Sequence, residues 1–194
     1  MRVAVVGGTG PFGSALARRL AEAGDEVVIG SRDPARARET ASQLGCAGAE
    51  NTEAVAGVDL VVLAVDAKAA LETARDLKDA IGTTPVLSVA SELRVRGERS
   101  LAERIADELD APVAAGLHTV AARTVGEAQD TLVCGDDDGA KELALELAGR
   151  AVAGRALDAG PLVNARALEG LTGVIVAVNK RYRAHAGVRL TGLA

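Results

Sequence analysis

The chain opens on Arg2-Val3-Ala4-Val5-Val6 and passes at once into Gly7-Gly8-Thr9-Gly10-Pro11-Phe12-Gly13. An apolar run of this kind reads as a buried strand. Gly8, Gly10 and Gly13 satisfy the spacing G-x-G-x-x-G where a helix, expected over 12–23, begins. Glycines alone turn the chain in many folds. Set between a Val-rich strand and a helix, they do three things. They allow a tight turn, leave backbone bare of Cβ where a pyrophosphate must approach, and let the helix pack closely on its strand. Free N–H groups at the helix start then hold phosphate. Gly8, Thr9, Gly10, Pro11, Phe12 and Gly13 are therefore candidate dinucleotide-binding residues.

The second strand bears on which dinucleotide is bound. Glu26-Val27-Val28-Ile29 runs into Gly30-Ser31-Arg32, about twenty residues beyond Gly10. Sites that take NAD place a carboxylate at this tip to accept from the ribose 2′-hydroxyl. Here a hydroxyl and a guanidinium stand instead. A guanidinium forks onto phosphate through paired charge-assisted bonds and stacks on a purine face. Arg36 adds a second cation one helical turn on. Ser31, Arg32 and Arg36 are expected to hold the 2′-phosphate of NADP(H). Asp33 is adjacent, which leaves NAD open on the residues alone. Asp33 also suits the N-cap of a helix that has Pro34 in its first turn.

The remaining pattern alternates short apolar runs with helical stretches. Strands are expected over 59–65, 85–89 and 131–134, with extended segments at 112–117 and 156–158. Helices are expected over 67–81, 100–109, 139–149 and from Pro161 to about Tyr182. Ala64 and Val65, at the end of a predicted strand, join the candidate cofactor residues. Residues 118–130 carry His118 and Arg123 without a clean period, which suggests a loop beside a site. Asp136-Asp137-Asp138 precedes a helix and reads as its cap, since anions favour helix N-termini. In the last helix Leu168, Leu171, Ile175 and Val178 should face a core. Gly170, Val174 and Ala177 form a stripe of smaller residues that suits close approach of another helix, equally from a second copy of the chain or from the same chain. The fold expected is α/β, a Rossmann-type doubly wound parallel sheet. It divides into a dinucleotide-binding domain, 1–149, and a small, mainly helical C-terminal domain, 150–194.

Composition excludes several classes of function. Among 194 residues the aromatics are Phe12 and Tyr182, too few for a stacking platform on single-stranded nucleic acid. A net charge of -5 gives no footprint for a duplex. Cys46 and Cys134 lack metal-ligand spacing and read as apolar fillers in a reducing compartment, so no metal is expected. Residues 1–6 are too short for the apolar core of a secretion signal, and no apolar run looks long enough to span a bilayer. A cytoplasmic protein, a homodimer that touches neither membrane nor nucleic acid, is expected.

With these residues placed, the chain resembles the NADPH-dependent coenzyme F420 reductases, also called F420H2:NADP oxidoreductases. Four stretches carry the resemblance: VAVVGGTGPFGSALARRLA, VVIGSRDPARA, Gly116-Leu117-His118-Thr119 with Ala121-Ala122-Arg123, and VCGDDD with the downstream LDAGPLVNARALEGLT. The resemblance implies NADP and coenzyme F420 as cofactors and reversible hydride transfer between them. It implies that His118 and Val120 lie beside the deazaflavin, Ala122 near the nicotinamide, and Leu162 and Asn164 on the opposite wall. No residue is implied as a covalent or proton-transfer catalyst. The chain departs from the family pattern at Asp66-Ala67, where a proline and an aromatic are common, and at Ser88-Val89-Ala90-Ser91-Glu92, after which the loop is shorter. Its basic end, with Lys180, Arg181, Arg183 and Arg189, is a candidate receiver for an anionic cofactor tail. On the residues alone two other readings stay open: an NADPH-dependent reductase of a small imine or carbonyl, and a non-catalytic NADP-binding regulator. The Tyr-x-x-x-Lys arrangement of short-chain reductases is absent, because Tyr182 is followed four positions later by Ala186.

Overall fold

The computed structural model describes residues 1–93 and 97–193. Among the described residues eight strands form one sheet in the order β3-β2-β1-β4-β5-β6-β7-β8. They are β1 (Arg2–Val6), β2 (Glu26–Ser31), β3 (Ala47–Glu50), β4 (Leu60–Leu63), β5 (Val86–Ser88), β6 (Val113–Gly116), β7 (Thr131–Gly135) and β8 (Ala156–Asp158). All neighbours are parallel except β6 and β7. The central strands are buried on both faces, so they read as continuous runs such as Leu60-Val61-Val62-Leu63 rather than alternating ones.

Among the same described residues seven α-helices cover the sheet: α1 (Pro11–Glu22), α2 (Pro34–Leu44), α3 (Asn51–Ala54), α4 (Ala67–Ile81), α5 (Leu101–Glu108), α6 (Asp138–Ala151) and α7 (Ala165–Tyr182). One apolar layer gathers Leu16, Leu20, Ile29 and Leu147, and another gathers Leu63, Leu77, Ile81 and Ile105. Asp33 caps α2 by accepting from the N–H groups of Ala35 and Arg36, with Pro34 in the first turn, and Asp137 caps α6 by accepting from that of Ala140. Asp136 accepts from the N–H of Leu162 at 2.9 Å. The acidic run thus serves two chain ends.

The sequence does not announce β3 and α3. Residue 149 falls within α6, and β8 extends the same sheet by pairing with β7. Within the helix Leu162–Tyr182 an 18-residue window reaches a mean hydropathy of 1.2, and by length and composition alone the helix could cross a membrane. This corrects the expectation that no stretch reaches that length. The first turns of α7 nevertheless belong to the fold, with Ala165, Leu168 and Glu169 buried. A second correction concerns Val178, expected at a core, which is 38% exposed because α7 outruns the body it packs on.

Candidate functional site: a two-chambered crevice at the strand ends

Strand β1 lies between β2 and β4, so chain connections leave to opposite sides at the carboxyl ends of β1 and β4. In open α/β sheets the crevice outside such a switch point is where ligands bind. The loop after β1 fills it first. Gly7 takes φ +84°, a left-handed turn that a Cβ would oppose, and a Cβ on Gly13 would lie 2.4 Å from the Gly7 carbonyl oxygen. Helix α1 can therefore start directly over the strand end. Its first hydrogen bond runs from the Ser14 N–H to the Gly10 carbonyl at 2.9 Å. The N–H groups of Phe12 and Gly13 are left without an intrahelical acceptor.

Beside this turn lies a cavity of about 380 Å³ lined by Thr9, Gly10, Ser31, Arg32, Arg36, Asn51 and the stretch 64–66, among others. Thr9, Gly10, Ser31, Arg32, Arg36, Ala64 and Val65, all proposed from sequence, are thus brought together. Gly8 is buried beneath the turn, against Ile29. Arg32 and Arg36 are exposed, and neither forms an ion pair within the described residues. Asp33 also lines the cavity, but its Oδ1 is engaged at the start of α2, at 3.0 Å from Ala35 N and 3.1 Å from Arg36 N. One oxygen of the carboxylate that left NAD open is thus committed to the helix cap. The free charge at the tip of β2 is positive, which suits a phosphate.

Asn51 was missed from sequence. It stands at the start of α3, beside the end of β2, and its buried Oδ1 has no partner within the described residues. Nothing in the pattern Ala-Glu-Asn-Thr signals this, because the placement depends on β3 pairing with β2.

A second cavity, of about 290 Å³, continues past Ala64, Val65 and Asp66, which border both. Its walls include Phe12, Val89, Ser91, Leu117, His118, Val120, Thr172 and Val176. Leu117 takes φ +60°, rare for a branched apolar residue. The reversal carries the chain out of β6 and into His118. The His118 ring is buried, which pulls its pKa down to about 4. Its Nδ1 lies 3.0 Å from the Ser91 hydroxyl, and its carbonyl accepts from the Thr172 hydroxyl at 2.7 Å. Its Nε2 is buried without a partner within the described residues.

Phe12, His118 and Val120 therefore meet here. Ala122 instead faces a cleft with Ser14, Arg18 and Arg19. Leu162 is buried against Ala102 and Cys134, and the Asn164 side-chain amide donates to the Ala159 carbonyl at 2.6 Å. These three residues do not line either cavity of the crevice; from α7, Thr172 and Val176 do. Lys180, Arg181, Arg183 and Arg189 are exposed. The loop singled out for its departure after β5 lies partly outside the described residues.

The F420-dependent NADP reductase of Methanothermobacter thermautotrophicus is 36% identical to this chain, over all of it and 96% of the relative. The chain belongs to this family. The family model described as NADP oxidoreductase, coenzyme F420-dependent, matches residues 2–92. The F420-dependent NADP reductase of Methanothermobacter marburgensis is 35% identical, over the whole chain and 99% of the relative. Both alignments run over 222 positions against the 194 residues here, so the reductases carry segments that this chain lacks. Among solved structures, one described as an F420-dependent NADP reductase from Arthrobacter sp. FB24 superposes with a TM-score of 0.86 at 24% identity. That match covers 99% of this chain and 100% of the other, and it supports the fold alone.

Proposed function

We propose that the chain transfers a hydride reversibly between NADP(H) and coenzyme F420. The observation that carries this reading is the junction of two chambers at 64–66, one walled by free arginines and the other by apolar side chains. Ser31, Arg32 and Arg36 would hold the 2′-phosphate, and Thr9, Gly10 and the first N–H groups of α1 the pyrophosphate. Phe12, Val65, His118, Val120 and Val176 would hold the deazaflavin. The nicotinamide C4 and the deazaflavin C5 supply the redox chemistry, so the chain needs no nucleophile. Its residues bring the two rings together and keep water out, a task that the apolar walls from Phe12, Val89, Leu117 and Val120 suit.

In this reading residues 1–149 bind the dinucleotide, and 150–194 complete the second chamber through Thr172 and Val176. The far half of α7 is assigned to a second copy of the chain, because Val174 and Tyr182 are 58% and 71% exposed. A cytoplasmic location accords with two free thiols, Cys46 and Cys134. The test mixes purified protein with NADPH and oxidised F420 and follows loss of deazaflavin absorbance, with NADH in parallel. Turnover with NADPH supports the reading. Dinucleotide binding without F420 reduction would return the chain to the regulatory alternative.

A further inference from the structure

Three hydrogen bonds around His118 share two hydroxyl protons, and counting those protons fixes the state of the ring. The Thr172 hydroxyl lies 2.7 Å from the His118 carbonyl oxygen. A carbonyl only accepts, so the Thr172 proton is committed there. The Ser91 hydroxyl lies 3.0 Å from Thr172 Oγ1, which can now only accept, so Ser91 donates to it. That spends the one proton Ser91 has. Toward His118 Nδ1, also 3.0 Å away, Ser91 is left as an acceptor. Nδ1 must therefore carry a hydrogen. Burial keeps the imidazole neutral at pH 7, so it holds a single ring proton. Nε2 is then a bare lone pair, buried, with no partner within the described residues, on a side chain that lines the second cavity.

We propose that Ser91 and Thr172 act as a two-hydroxyl relay that locks His118 in its Nδ1–H tautomer, so that the ring meets the second cofactor as a hydrogen-bond acceptor. This rests on placing F420 in that cavity. It reverses the role most readily given to a histidine there, that of a donor. An acceptor selects a ring edge that offers an N–H or O–H and disfavours one that offers a carbonyl. It thereby sets which way round a flat, two-edged ring system enters. Ser91 and Thr172 are positioning residues, and His118 is the one that touches the ligand. Relay and ring come from three places: the loop after β5, the loop after β6, and α7.

The test uses full-length protein labelled with 15N-histidine, free of cofactor at pH 7, and reads the two-bond 1H–15N correlations of the imidazoles. A His185→Gln variant separates the two histidines. The expected result is a protonated Nδ1 and an unprotonated Nε2 for His118. In Thr172→Val the Ser91 proton is released to donate to Nδ1, so the ring should move to the Nε2–H form, and Thr172→Ser should restore the original spectrum. F420 KM should rise about five- to tenfold in Thr172→Val, the size of one neutral hydrogen bond, with NADPH KM unchanged. An Nε2–H ring in the unaltered protein, or a tautomer indifferent to Thr172→Val, overturns the relay. An Nδ1–H ring combined with F420 kinetics untouched by His118→Ala overturns the placement of F420 and leaves the relay standing.

Discussion

The carboxylate of Glu169 accepts from the backbone N–H of Ala102 at 3.1 Å, joining the second turn of α7 to the first turn of α5. Its other oxygen accepts from Leu101, also at 3.1 Å, and the side chain is fully buried. Helix α5 thus has two caps, Ser100 from its own chain end and Glu169 from a helix nearly seventy residues away. Glu169→Gln keeps the shape but turns an NH2 toward one of these donors. The variant should lose about 2 kcal/mol of stability, the range for hydrogen bonds to a charged group. Urea unfolding checks this, and an unchanged midpoint would mean that the clamp contributes nothing.

Acid should weaken the fold through His118. Its pKa falls from 6.5 in the unfolded chain to about 4 in the folded one because the ring is buried. Between those values the unfolded chain binds a proton that the folded chain refuses, so stability declines as pH drops from 6.5 toward 4. The full loss is about 3 kcal/mol. Glu169 works in the opposite direction. Burial raises its pKa above 4.5, so its contribution is present below 4.5 and is lost as pH rises through the raised value. Unfolding measured at stepped pH should show a flatter limb between 6.5 and 4 in His118→Asn than in the parent.

Arg32→Asp should cost NADPH binding about 1.5–3 kcal/mol while leaving NADH binding nearly unchanged. Calorimetry with both dinucleotides provides the comparison. Equal losses would place Arg32 outside the phosphate site. Asn51→Ala should weaken both dinucleotides alike by about 1 kcal/mol, since its neutral amide can offer a hydrogen bond but no charge to tell a 2′-phosphate from a 2′-hydroxyl.

A carboxylate in the middle of the exposed face of α7 should separate the two copies proposed to meet there. Val174→Asp is expected to sediment as a monomer where the parent sediments as a dimer, with little change in unfolding midpoint, because residue 174 is more than half exposed in its own chain. A parent that is already monomeric at micromolar concentration would leave that face to some other use.

The elements legible in the sequence were those whose signal is local. The Val-rich runs of β1 and β4, and the Asp-Pro start of α2, need only their own residues. The edge strand β3, Ala-Gly-Ala-Glu, has no branched residue to announce it. It exists because β2 offers a free edge and because Gly48 lets α2 come close: a Cβ there would lie 2.4 Å from the Ala37 carbonyl oxygen. The reversal of β7 against β6 is equally silent, since an antiparallel neighbour with both faces covered looks like a parallel one. At the site, Ser31, Arg32 and Arg36 could be read because they follow a strand end at a fixed offset. Ser91, Asn51 and Thr172 could not. Each is an ordinary polar residue until the sheet and α7 bring it to a partner far along the chain.

Three consecutive residues, 64–66, border both chambers, so the two ligands share part of their footing. Whatever adjustment of that backbone accompanies the arrival of one is felt by the other, and linkage requires the effect to be mutual: if NADPH changes the affinity for F420 by some factor, F420 changes that for NADPH by the same factor. A sequence change that retunes one affinity through this stretch will carry the other with it.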